Sequence, residues 1–125
     1  DEARMRKVLV VEDDVDVAKV LLKRLDDAGF ETQCARDAYL AVKFCHDFNP
    51  DLIILDLMLP AGGGLFVLEN IRGVVKTKDI PVLVLTGIKD EEYKQKILTQ
   101  GVSAFMEKPY DHLELIKTVN KLLVT

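Results

Sequence analysis

Cysteine is scarce in this chain. Cys34 and Cys45 are its only two, and neither falls in a CxxC or Cys/His pattern with metal-ligand spacing. Both read as small apolar core residues in a reducing compartment. No apolar run approaches the roughly 20 residues that span a membrane, and no secretory signal opens the chain. A cytoplasmic protein, or a cytoplasmic piece of one, is expected. The opening Asp1-Glu2-Ala3-Arg4 lacks an initiator Met, as in an excised or processed segment. Dense basic clusters are missing too. The 17 Lys and Arg against 21 Asp and Glu leave a net charge of −4, which argues against direct nucleic-acid binding by this domain. The short run Arg4, Arg6, Lys7 reads as a solvated lead-in to a strand. There is no internal repeat, low-complexity tract or interdomain linker. A length of 125 residues suits one domain, with its core over about 7–123, and can bury a core without staples.

What is present is a strict alternation. Val8-Leu9-Val10-Val11 is a short β-branched run, read as a strand buried on both faces, and it stops at Glu12-Asp13-Asp14. A helix follows with Val17, Val20, Leu21, Leu25 and Ala28 on its apolar face and Gly29 as its stop. Glu31 to Ala35 is a weaker, more polar strand, suited to a sheet edge. Asp37 caps a second helix that buries Ala38, Ala41, Val42 and Cys45 and ends at Asn49-Pro50. Leu52 to Leu55 is a third buried strand running into Asp56. A loop from Leu57 to Gly64 leads to a helix with Leu65, Leu68 and Ile71 inward. Val82 to Leu85 ends at Thr86-Gly87. A fourth helix spans Glu91 to Gln100, and a short strand spans Ala104 to Glu107. The last helix, His112 to Val124, is read with Leu113, Ile116, Asn120 and Leu123 inward. Five β-α units in succession predict an α/β fold: one doubly wound, five-stranded parallel sheet with helices on both faces.

In such sheets ligands sit beyond the carboxyl ends of the strands. Those ends carry Glu12, Asp13 and Asp14, then Asp56, then Thr86, then Lys108. Packed carboxylates repel unless a cation intervenes. Magnesium fits best, because it takes one or two carboxylates together with waters and a phosphate. Asp13 and Asp56 are the expected direct ligands, with Glu12 acting through water and a backbone carbonyl past Asp56 completing the set. Asp56 is then a carboxylate nucleophile in an aspartyl-phosphate scheme, with Thr86 and Lys108 donating to phosphoryl oxygens. Asp14 reads as a helix cap rather than a ligand. His46 and His112 read as surface or capping residues.

The segments Val8-Leu-Val-Val-Glu12-Asp13-Asp14, Pro50-Asp51-Leu-Ile-Ile-Leu-Asp56-Leu-Met-Leu-Pro60, Val82-Leu-Val-Leu-Thr86-Gly87 and Phe105-Met-Glu-Lys108-Pro109 together resemble the receiver domains of two-component response regulators. The resemblance runs from Lys7 to Leu123. It implies a flavodoxin-like fold with strand order 2-1-3-4-5. It implies that Asp56 accepts phosphoryl from the phosphohistidine of a histidine kinase or histidine phosphotransfer protein. Glu12 and Asp13 become the acidic pair for magnesium, with the Met58 backbone carbonyl as a further ligand. Thr86 and Lys108 contact the phosphoryl group, Phe105 takes the place of the switch aromatic, and the Lys108-Pro109 bond is expected to be cis. The face of the fourth helix, fifth strand and fifth helix is the implied output surface or weak homodimer contact. Leu115, Val119 and Leu122 belong either to that surface or to ordinary helix packing.

Two departures stand out. Gly63 stands where the family usually has Asp or Ser before a glycine. That removes a side-chain cap and suggests a mobile loop that orders on phosphorylation or partner binding. Gly87 replaces the commoner Ala, with little expected effect. Met58 and Ile88, two residues beyond Asp56 and Thr86, are apolar and unable to orient an attacking water, which predicts slow self-hydrolysis. Three rival readings remain. An aspartate-nucleophile phosphatase of the haloacid dehalogenase type wants a second Asp where Met58 stands. A flavin or nucleotide binder wants a phosphate-cradling loop where Glu12-Asp13-Asp14 would repel one. The third rival is a receiver-like interaction module that works without phosphorylation.

Overall fold

The computed structural model describes residues 4–87 and 89–124. Strands β1 (Lys7–Val11), β2 (Glu31–Ala35), β3 (Leu52–Asp56), β4 (Val82–Thr86) and β5 (Ala104–Glu107) alternate with helices α1 (Val15–Asp27), α2 (Ala38–Phe48), α3 (Gly63–Arg72), α4 (Glu91–Leu98) and α5 (His112–Leu123). All pairings are parallel and the order is β2-β1-β3-β4-β5, as the resemblance implies. The unbroken apolar runs of β3 and β4 occupy the sheet centre, where every residue is buried. The polar β2 lies at one edge, with Glu31 and Gln33 exposed.

Alternation of side chains along the strands divides the core in two. Leu9, Val11, Ile53, Leu55 and Val84 face one way and meet Ala41, Cys45, Leu68, Ile71 and Ile97 from α2, α3 and α4. Val8, Val10, Ile54, Leu83 and Leu85 face the other way and meet Leu21, Leu25, Leu115, Val119 and Leu123 from α1 and α5. Four helices begin at an aspartate whose carboxylate accepts backbone N–H bonds: Asp14, Asp37, Asp90 and Asp111. Each such cap is worth about 1 kcal/mol.

Several expectations need correction. On α5 the buried stripe is Leu115, Val119 and Leu123, spaced i, i+4, i+8. Leu113 is 74% exposed and Asn120 is exposed too, so Leu115 and Val119 serve packing and not an output surface. On α1, Ala18, Leu21 and Leu25 are buried, whereas Val17, Val20 and Ala28 are exposed. α4 stops at Leu98, two residues before Gln100. The basic lead-in is not simply solvated. Arg4 makes a two-pronged pair with Asp51 at 2.9 Å for each contact, Arg6 donates to the Leu123 carbonyl, and Lys7 donates to the Phe48 carbonyl. The expected loop 57–64 contains a 3-10 turn at Pro60–Gly62, and α3 begins at Gly63. Within that turn Ala61 takes φ +56, a left-handed conformation that costs an L-residue roughly 1–2 kcal/mol.

Candidate functional site

The carboxyl ends of β1, β3, β4 and β5 meet on one rim. Glu12, Asp56 and Thr86 are all but inaccessible to solvent. Lys108, one residue past β5, reaches over them. Its Nζ lies 2.6 Å from Asp56 Oδ2 and 3.9 Å from Glu12 Oε1. The other Asp56 oxygen, Oδ1, accepts the Met58 N–H at 2.8 Å, so the carboxylate is held from two sides. Glu12 is anchored likewise: Oε2 accepts the Asp14 N–H at 3.1 Å, and its own N–H donates to the Ala35 carbonyl of β2 at 3.0 Å. The Lys108 N–H donates to the Thr86 carbonyl at 2.8 Å, extending the β4–β5 ladder by one rung. The Lys108-Pro109 bond is cis, as expected.

Burial in this setting pushes the Glu12 carboxyl up to about 8, and a hydrogen bond shared with Asp56 pushes the same way. Glu12 therefore keeps a proton at neutral pH, which relieves the repulsion between two buried acids in the absence of a metal. Burial tends to lower the Lys108 ammonium, but its bond to Asp56 wins and the net direction is upward. Lys108 remains a cation across the physiological range.

The structure brings Asp56, Glu12, Thr86 and Lys108 together. Asp13 follows Glu12 on the exposed rim. Among the described residues, no three His, Cys, Asp or Glu side chains form a ready metal cage. The donor set nevertheless fits magnesium. Two buried carboxyls, Glu12 and Asp56, share one rim, the exposed Asp13 follows Glu12 in the chain, and magnesium needs only one or two carboxylates and keeps its waters. Met58 is 53% exposed beside Asp56. Ile88 lies outside the described residues. Phe105 is half-buried and packs against the core. A Cβ on Gly87 would meet nothing within 4 Å, so packing does not require glycine there.

The Gly63-Gly64 pair has a packing role. Both glycines are buried in the first turn of α3. A Cβ at Gly63 would sit 3.1 Å from the Leu59 Cβ, and one at Gly64 would sit 2.9 Å from the Leu57 Cδ2. These glycines permit close approach between α3 and the segment leaving Asp56.

Two residues escaped the sequence reading. Lys94 of α4 is only 15% exposed, with its Nζ 3.2 Å from Glu107 Oε1 and 3.7 Å from Glu91 Oε1. The same ammonium stands 5.5 Å from the centre of the Phe105 ring, so the aromatic expected to switch is covered by a cation. Between Lys94 and Lys108 a cleft of about 120 Å³ opens, with Thr86 and Glu107 in its wall. The second missed residue is Tyr93, whose hydroxyl touches the start of α3. Spacing within α4 carries no sign of either contact, because each partner lies on another element.

Comparison with known proteins bears on this geometry. Residues 8–120 match the response regulator receiver domain family. The phosphate regulon transcriptional regulatory protein PhoB of Escherichia coli K12 is 33% identical over 118 residues, covering 94% of this chain and 52% of PhoB. Among solved structures, the chemotaxis response regulator CheY4 of Vibrio cholerae superposes with a TM-score of 0.87 at 30% identity, covering 96% of this chain and all of that one. The signal receiver domain of a signal transduction histidine kinase from Syntrophus aciditrophicus gives 0.87 at 31% identity, covering 94% of this chain and 89% of that one. The chain belongs to the response regulator receiver domain family. Receiver domains of this family are signalling switches of two-component systems and pair with histidine kinases and phosphotransfer proteins. The chain spans about half the length of the curated relatives it matches. No helix among the described residues is long and apolar enough to cross a membrane.

Proposed function

We propose that this chain is a phosphoacceptor switch, in which Asp56 receives a phosphoryl group from the phosphohistidine of a histidine kinase or phosphotransfer protein. One observation carries the reading. A buried aspartate at the end of the central strand is held 2.6 Å from a lysine ammonium, with a second buried acid beside it and Thr86 on the neighbouring strand. A purely structural aspartate at a strand end needs no such company.

In the proposed transfer an Asp56 carboxylate oxygen forms a bond to phosphorus as the donor's P–N bond breaks, and the electron pair leaves on the imidazole nitrogen. The Met58 N–H fixes the orientation of the carboxylate. Lys108 yields its contact with Asp56 and turns to a phosphoryl oxygen, where its charge opposes the negative charge brought by the donor. Thr86 donates its hydroxyl to a second phosphoryl oxygen. Glu12, Asp13, Asp56 and the Met58 carbonyl would hold magnesium, which when bound neutralises charge on the phosphoryl oxygens. Glu12 would release its proton to solvent when its carboxylate takes part in holding the ion. The movement of Thr86 leaves room for Phe105 to turn inward, which alters the α4–β5–α5 surface offered to a partner or to a second copy. We read residues 1–125 as a single receiver domain, with its core over about 7–123, carrying this whole cycle.

The test is a titration with magnesium and beryllofluoride, a stand-in for the aspartyl phosphoryl group, followed by amide NMR. The expected result is saturable shifts at Met58, Thr86 and Lys108 that require magnesium and are absent in Asp56→Asn. Folded protein that shows no such shifts would point instead to a receiver-like interaction module.

A further inference from the structure

The start of α3 is missing a part that helices normally have. Its N-cap is Gly62, which has no side chain to accept the free N–H groups of the first turn. An N-cap side chain usually takes the N–H three residues on, which here belongs to Leu65. That N–H instead donates to the hydroxyl of Tyr93 at 3.3 Å. Tyr93 belongs to α4, 28 residues further along the chain. Gly64 makes the reach workable, since a Cβ there would stand 3.3 Å from the Tyr93 oxygen. The absent cap, the borrowed hydroxyl and the vacant Cβ position are separate observations that meet at one point.

We propose that Tyr93 is a positioning residue that caps α3 from α4, so that α4 and the loop leaving Asp56 hold one another in the unphosphorylated arrangement. The proposal rests on the reading of Asp56 as the phosphoacceptor and adds a second link between that site and α4, beside the one through Thr86 and Phe105. The mechanics follow from the contacts. α4 is eight residues long and buries only Ile97. Apart from Ile97, it is held by Tyr93 on its α3 side and by Lys94 against Glu107 and Phe105 on its β5 side. Asp90 caps its first turn by accepting the Tyr93 N–H at 3.1 Å. Asp90 follows Thr86 by four residues in the sequence, and it is tied to Tyr93. Displacing that turn draws the hydroxyl away from Leu65. The first turn of α3, which follows the segment carrying the Met58 N–H bonded to Asp56, then loses its tie to α4. A bond made in one state and lost in the other biases the equilibrium towards the first by its own worth.

The experiment compares wild type with Tyr93→Phe, which removes only the hydroxyl. Without ligand, the Leu65 amide of the variant should shift and exchange faster, while the Ile97 amide stays as in wild type. With magnesium and beryllofluoride, the variant should bind about fivefold more tightly, the equilibrium equivalent of one ordinary hydrogen bond lost from the unliganded state. Simple structural damage would not tighten binding. An unmoved Leu65 amide overturns the cap, and equal or weaker beryllofluoride binding by the variant overturns the coupling. Failure of wild type to bind beryllofluoride at all is a separate outcome, which removes the phosphoacceptor reading and the switch built on it.

Discussion

Replacing Lys108 with Met removes the ammonium and keeps most of the aliphatic stem. Two buried acids then face one another with no cation, since Lys108 stands 2.6 Å from Asp56 and 3.9 Å from Glu12. Loss of one partner from a fully buried pair costs roughly 3–5 kcal/mol, whereas a single hydrogen bond to a charged group is worth roughly 1.5–3 kcal/mol. The Lys108 side chain is 29% exposed and Glu12 holds a proton at neutral pH, so the lower range applies: about 2 kcal/mol at pH 7. The Lys108 pKa is raised in the fold. Its contribution is therefore fully present below the unfolded lysine value and fades only as pH rises through the folded one. Between pH 5 and 8, then, wild type does not lose this stabilisation. Magnesium should replace the missing charge. Urea unfolding with chelator and with millimolar magnesium measures both effects. The expected result is a lower midpoint for Lys108→Met in chelator, an unchanged slope, and a gap from wild type that narrows with magnesium. Equal stability of the two proteins in chelator, or an equal gap in both conditions, would refute the electrostatic account of the site.

Because the Glu12 carboxyl is raised to about 8, the metal-free fold binds a proton that the unfolded chain releases near 4.5. Its stability should fall as pH rises between those values, and unfolding midpoints of Glu12→Gln across that window should show a flatter profile. Leu115→Ala should cost roughly 2–4 kcal/mol by chemical denaturation, whereas Leu113→Ala should change stability by less than about 0.5 kcal/mol. Gly64→Ala should destabilise by about 1–3 kcal/mol, because its Cβ would press on Leu57 at 2.9 Å; a thermal midpoint equal to wild type would show that the segment yields freely. Met58→Asn should speed loss of phosphoryl from Asp56, followed by intact mass after removal of donor, because an exposed amide there can orient water as a thioether cannot.

The alternation of buried runs and amphipathic stretches made the sheet, its parallel pairing and the position of every strand legible. The same reasoning located Asp56, Glu12, Thr86 and Lys108, because strand ends in such a sheet converge whatever the loops do. Helix faces were harder. In α5 the apolar residues Leu113, Leu115, Ile116, Val119, Leu122 and Leu123 admit two stripes, and only docking against the sheet, β3 included, decides for Leu115. In α1 the flanking valines extended the apparent stripe beyond what the sheet covers. Gly63 was visible as a departure, but the packing of Gly63 and Gly64 in the first turn of α3 involves Leu57, Leu59 and Tyr93, contacts that depend on how the chain folds back. Lys94 over Phe105 was hidden for the same reason, since charge on a short exposed-looking helix has no evident partner until β5 is laid beside it.

The central claim is that Asp56 is chemically competent. Folded protein incubated with magnesium and acetyl phosphate, with Asp56→Asn alongside, tests it by intact mass. The account predicts a single phosphoryl adduct that requires magnesium and is missing from the variant. No adduct on the folded wild type, or an adduct that persists in Asp56→Asn, would contradict it.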